Sequence, residues 1–126
     1  MGYGCQKDFH IEDYAEAVRR NLPPSTKRVG LTLPPFTDEQ RRELLTLGAL
    51  GLAGEGGELI DLIKKHLFHG KPLDRAKMIE EAGDTLFYLQ CLAEAIDSNL
   101  AEIAEHNRDK VARRYPNGFK PGGGVR

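Results

Sequence analysis

Two short words repeat in this chain: Glu55-Gly56-Gly57-Glu58 and Glu81-Ala82-Gly83-Asp84. Each reads acid, small, glycine, acid. Residues three apart share one face of a helix, so each word, if helical, presents two carboxylates side by side. Crowding four such groups is unfavourable by itself. Like charges a few Å apart repel, and burial adds a desolvation penalty of several kcal/mol per ion in order of magnitude. Hard divalent cations remove the difficulty, since Mg²⁺ and Mn²⁺ take oxygen ligands and Mg²⁺ shares substrate phosphates. No Glu-x-x-His pair accompanies the acids, which argues against a ferritin-like di-iron centre. The alternative is a solvated acidic face with incidental glycines, and the two words alone leave both open.

The surrounding pattern supplies the elements that must carry these words. Phe9, Tyr14, Ala17 and Val18 have helical spacing within residues 8–20, and Pro23-Pro24 stops that helix. Residues 21–36 hold four prolines and Gly30 with no clear period. A stretch like that is either a lid or binding loop, or a surface connector. Thr37 and Gln40 form a capping-box pattern opening a second helix that runs to Phe68, where Gly70 and Pro72 end it. Asp74 caps a third helix reaching about Asp97. Its Leu86–Leu92 stretch is apolar nearly all round and is expected to be central and buried. Asn99 opens a fourth helix to Arg114, stopped by Pro116-Asn117-Gly118. No strand-like alternation occurs. The expected class is all-α, an antiparallel bundle of about four helices in a single domain spanning residues 1–126, with flexible ends at 1–7 and 120–126.

In that arrangement the words can meet. Glu58 lies ten residues before Phe68, or ~15 Å along the axis, and Glu81 seven residues after Asp74, or ~10 Å. After a tight turn the two pairs reach similar heights on facing helices. Gly48, Gly51, Gly54, Gly56 and Gly57 all fall inside the second helix, each at a penalty of ~1 kcal/mol relative to Ala. Such repetition points to close approach of another helix or of a ligand.

Composition narrows the function classes. The chain has 126 residues, 40% apolar and 29% charged, which suits one folded domain rather than wholesale disorder. Lys plus Arg is 18 and Asp plus Glu 19, for a net charge of −1, which argues against a dedicated nucleic-acid binder or a polybasic membrane binder. No apolar run approaches the ~18 residues of a membrane span, and the N-terminal residues lack a signal-type apolar core. Cys5 and Cys91 form neither a metal spacing nor a disulfide framework, and Cys91 reads as a small core residue. These features place the chain in a reducing, cytoplasmic compartment. His66 and His69 sit at a helix end without further ligands and read as dipole-facing cations.

The words Leu50-Gly51-Leu52-Ala53-Gly54-Glu55-Gly56-Gly57-Glu58-Leu59 and Glu80-Glu81-Ala82-Gly83-Asp84-Thr85-Leu86-Phe87-Tyr88-Leu89, with Asn107-x-x-Lys110-x-x-x-Arg114-Tyr115-Pro116, go further. Across residues 45–119 the sequence resembles the MazG-like, all-α nucleoside triphosphate pyrophosphohydrolases, whose pattern is Glu-x-x-Glu, a spacer, then Glu-x-x-Asp. The resemblance implies conversion of a (deoxy)nucleoside triphosphate to monophosphate and pyrophosphate. It implies Mg²⁺ held by Glu55, Glu58, Glu81 and Asp84, with Mn²⁺ as a substitute. It also implies a homo-oligomer, dimer or tetramer, whose subunits complete each other's pockets. No acid immediately precedes Glu55, so the general base placed there in some relatives has no counterpart.

On this frame Lys110 and Arg114, four apart on one helical face, are candidate phosphate contacts. Asn107, one turn earlier, is a candidate for a metal water or sugar hydroxyl. Tyr88, four after Asp84, resembles a nucleotide-contacting position, with plain core packing as the alternative. Of Lys64 and Lys65, about two turns after the first word, one is expected to reach the triphosphate, with Lys64 the candidate. The expected role is nucleotide-pool sanitising. The alternatives are a regulatory hydrolase of an alarmone-type nucleotide and a non-catalytic helical oligomerisation module.

Overall fold

A computed structural model describes residues 9–28 and 34–122. The expectations for residues 1–7, Cys5, Gly30 and the last four residues of the tail lie outside the described residues. The described chain is helical, with no strand: α1 Ile11–Arg20, a 3-10 turn at Pro24–Thr26, α2 Asp38–His69, α3 Arg75–Ala95 and α4 Leu100–Arg114. All four expected helices are present, with ends shifted by a few residues.

Their boundaries follow from local chemistry. Thr37 Oγ1 accepts from the Gln40 amide at 3.1 Å while Gln40 Oε1 accepts from the Thr37 amide at 3.0 Å, so two otherwise orphaned donors are satisfied where α2 begins. Gly70 ends α2 at φ 66°, a left-handed conformation that glycine adopts without a Cβ clash. Asp74 and Asn99 accept from the amides of Lys77 and Glu102 and cap α3 and α4.

The antiparallel α2–α3 pair is the backbone of the fold. α1 packs across α3 and α4, and the 3-10 turn packs on α2. The core is concentrated at one end of that pair. Val18, Leu22, Phe36, Leu44, Cys91 and Ala95 are buried there, with Tyr14, Leu47, Phe87 and Tyr88 packed against them. Between Glu55 on α2 and Asp84 on α3 no residue is buried. Ile60, Leu67, Phe68, Leu73 and Ile79 are exposed along this protruding hairpin.

One expectation is corrected here and two are narrowed. Leu86–Leu89 are only half-buried, and full burial begins at Gln90, because the packed end lies C-terminal to them. The 21–36 segment is no bare connector over its described part. Leu22, Thr26 and Phe36 are buried, and they anchor it to the core. The glycines divide into two groups. A Cβ at Gly48 would come within 2.7 Å of Leu92 Cδ2 and one at Gly51 would overlap the Tyr88 ring, so these two do allow α2 and α3 to approach closely. Gly54, Gly56 and Gly57 face open space within this chain.

Candidate metal centre

The α2–α3 pairing brings the two acidic words together across the helix interface. Glu55, Glu81 and Asp84 each offer a carboxylate oxygen, and the three oxygens lie within 4.8 Å of one another. Glu58, one turn along α2, does not join them at that distance. Its charge still acts on the group. The Glu81 carboxyl is held above its ordinary range, first by desolvation and then by the charges of Glu55, Asp84 and Glu58 and a hydrogen bond with Glu55. Among the described residues, none of the ion pairs involves any of the four. Three hard oxygens without an internal counter-charge fit an oxygen-coordinated dication.

The remaining candidates fare differently. Tyr88 is half-buried, and its ring packs edge-on to Phe87 at 5.3 Å and over Gly51 of α2, one turn before Glu55. Lys64 pairs within α2, its Nζ 3.6 Å from Asp61. Lys65 pairs with the same carboxylate at 2.6 Å, which raises its pKa and lowers that of Asp61. Asn107 and Lys110 are exposed and Arg114 is half-buried on α4, which packs on α1 and α3. Among the described residues none of the three has a hydrogen-bond or ion-pair partner, and nothing brings them to the carboxylates.

An open groove of about 860 Å³ adjoins the cluster. It is lined by Pro23, Thr46, Leu47, Leu50, Gly51 and Tyr88, with Glu39, Arg42 and Glu43 at its polar margin. That volume is within the ~300–1,000 Å³ of small-molecule sites. Gly51 and Tyr88 connect it to Glu55 and Asp84, each one helical turn away.

Residues 44–119 match the MazG nucleotide pyrophosphohydrolase domain family. The chain belongs to that family. Its members are generally dependent on a divalent metal, which agrees with the carboxylate triad. The Gene 37 protein of Mycobacterium phage L5 is 30% identical over 86 residues, covering 65% of this chain and 75% of its own length. No solved structure matches the chain. Among the described residues, no helix is long and apolar enough to cross a membrane.

Sequence reasoning missed two groups that this MazG domain brings into play. Tyr14 on α1 packs against the core, and its phenol is held above the ordinary range by burial first, then by the charges of Cys91 and Asp84. Its helical spacing was visible, but its packing against the core was not. The second group surrounds Glu94, which is 1% exposed. Arg19 Nε donates to Glu94 Oε2 at 3.1 Å and Arg19 Nη2 lies 3.0 Å from Oε1. Arg28 Nη2 donates to Oε2 at 3.1 Å and Gln90 Nε2 to Oε1 at 3.0 Å. Gln90 Oε1 in turn accepts from the Leu100 amide at 3.3 Å, tying α3 to the start of α4.

Proposed function

We propose that this MazG-family chain is a Mg²⁺-dependent nucleoside triphosphate pyrophosphohydrolase that converts a (deoxy)nucleoside triphosphate to its monophosphate and pyrophosphate in nucleotide-pool sanitising. The observation that carries the proposal is the convergence of Glu55, Glu81 and Asp84 to within 4.8 Å across α2 and α3. These three residues, with Glu58 turning in from the next helical turn, would hold the cation; Mn²⁺ is the expected substitute. When bound, it supplies charge neutralisation for the phosphates and lowers the pKa of a nucleophilic water. The chain itself positions. Tyr88 and Leu47 offer an apolar wall for the nucleoside in the adjoining groove, so the triphosphate points toward the carboxylates.

Lys64, Asn107, Lys110 and Arg114 remain candidate oxygen contacts. A second copy of the chain is the route that would bring the α4 residues to a carboxylate cluster. Support for such a homo-oligomer comes from the uncovered hairpin, where Ile60, Leu67 and Phe68 are 66%, 64% and 80% exposed. A buried free thiol at Cys91 suits a reducing, cytoplasmic setting.

The deciding experiment incubates the full chain and Mg²⁺ with a panel of canonical, damaged and hyperphosphorylated nucleotides and measures pyrophosphate. Release from one or more triphosphates, abolished by chelation and by Glu81→Gln, is expected. Turnover only of the hyperphosphorylated set would move the assignment to an alarmone hydrolase. Silence across the panel would leave only oligomerisation.

A further inference from the structure

The groove has one wall that is not part of the α2–α3 pair. It comes from the segment following α1, where Pro23 lines the groove and Ser25 Oγ donates to Glu43 Oε1 at 2.7 Å. Gln40 Nε2 donates to the Ser25 carbonyl at 3.2 Å, and the fully buried Thr26 hydroxyl donates to the Pro23 carbonyl at 2.9 Å. The segment has a single 3-10 turn and no regular ladder, so side-chain anchors must fix its place.

Arg28 is the strongest of those anchors. Its side chain is 8% exposed and fans out to three acceptors. Nη2 reaches Glu94 Oε2 at 3.1 Å, and Nη1 reaches Asp97 Oδ1 at 3.0 Å and the Pro34 carbonyl at 3.4 Å. The guanidinium carbon lies 3.7 Å from the centroid of the Phe36 ring. One planar fork therefore ties residues on both sides of the connection to the C-terminal end of α3. Arg28 lines a separate small polar cavity with Arg19, Glu94 and Asp97 and does not line the groove. Its influence on anything bound in the groove must pass through the segment.

We propose that Arg28 is a positioning residue for the nucleoside end of the substrate: clamped on Glu94 and Asp97, it holds the Pro23–Thr26 turn, and with it the groove wall at Pro23, in register with Tyr88. This role rests on the pyrophosphohydrolase reading. It separates two parts of the substrate, since the wall meets the nucleoside and the carboxylates meet the phosphates. Lysine cannot replace the fork, because a single ammonium on a flexible stem does not present the same planar pair of donors to two carboxylates.

The test uses the full chain with Mg²⁺, the four canonical deoxynucleoside triphosphates, their monophosphates and inorganic pyrophosphate. Arg28→Ala leaves Glu94 with Arg19 and Gln90, so the fold has a route to survive. The expected result is a rise of about tenfold in KM and in the inhibition constant of the monophosphate, equivalent to one lost ordering contact. The kcat and the inhibition constant of pyrophosphate stay within about twofold. Arg28→Lys gives the same pattern at a smaller amplitude, and it carries the comparison if the alanine variant loses helical content. Amide hydrogen exchange at residues 22–28 gives a second readout: the monophosphate protects them in the wild type and not in Arg28→Ala. A wild-type protein that turns over while both variants keep its KM, or variants in which monophosphate and pyrophosphate constants rise together, overturns the positioning role alone. A wild type that releases no pyrophosphate overturns the pyrophosphohydrolase reading, and this role with it.

Discussion

Helix α3 carries two kinds of carboxylate about 15 Å apart, ten residues at the α-helical rise, and the protein treats them in opposite ways. Glu94 is almost wholly buried and is matched internally by Arg19, Arg28 and Gln90. Asp84 and Glu81, with Glu55 facing them, are less buried and have no internal cation among the described residues. Burial by itself therefore does not mark the candidate site. The mark is an electrostatic debt left open. A compensated buried acid fixes the fold, whereas a crowded and uncompensated set is relieved by a cation from outside.

The comparison predicts opposite signs for equivalent mutations. Glu81→Gln is expected to lower kcat by about 100- to 1,000-fold, the range for losing one strong electrostatic contribution to a transition state. The same change should raise the melting temperature of the metal-free protein, because it removes a repulsion. Mg²⁺ at about 100 times its Kd would stabilise the wild type by ~2.7 kcal/mol and the variant by less. Glu94→Ala should do the reverse. It strands two arginines and destabilises by ~3–5 kcal/mol, as breaking a buried ion pair does, read as a fall in the urea midpoint. If Glu81→Gln destabilised the metal-free protein as Glu94→Ala does, the two sites would not differ in kind.

Titration sharpens the contrast. The folded-state pKa of Glu81 is raised above its ordinary 4.5. Its contribution is thus most favourable below that value and is lost as pH rises through the folded pKa. In metal-free protein the urea midpoints of wild type and Glu81→Gln should converge near pH 4.5 and separate above it, with the variant the more stable. Cys91 behaves likewise at the alkaline end. Burial first, then the charge of Glu94, pushes its thiol from 9.0 up to about 11. Its stabilising contribution is complete below pH 9 and disappears as pH rises through about 11. Cys91→Ala should therefore flatten the loss of stability over that interval.

Much of this was legible in the sequence, and the limits have a physical pattern. Helix ends were readable because caps are local: Thr37 with Gln40, Asp74, Asn99 and Gly70 act within a few residues of themselves. The acidic words were readable because helical periodicity fixes their faces, and the short turn at residues 70–74 fixes their heights. Glu94 and Arg28 were not readable as partners. Their 66-residue separation is bridged by tertiary packing that no local pattern encodes. Gln90, within the stretch read as apolar nearly all round, and Glu94 just after it are both buried polar residues. The Lys64 pairing with Asp61, one turn away, was readable from i,i+3 spacing, unlike the partners of Glu94.

The glycines of α2 give the smallest predicted effects and the finest division between the packed end and the open end. Gly51→Ala would push a methyl into the Tyr88 ring, and overpacking of this kind costs ~1–3 kcal/mol. Gly54, one turn on, meets nothing within 4 Å, so Gly54→Ala should gain up to ~1 kcal/mol from helix propensity in the isolated chain. Urea melts at low protein concentration test the pair. If Gly54→Ala destabilises there as Gly51→Ala does, the open side of α2 is already packed within one chain. If it stabilises the dilute protein but weakens assembly measured by sedimentation, then that face is where a second copy settles, and the glycine is kept for the neighbour's approach rather than for α3.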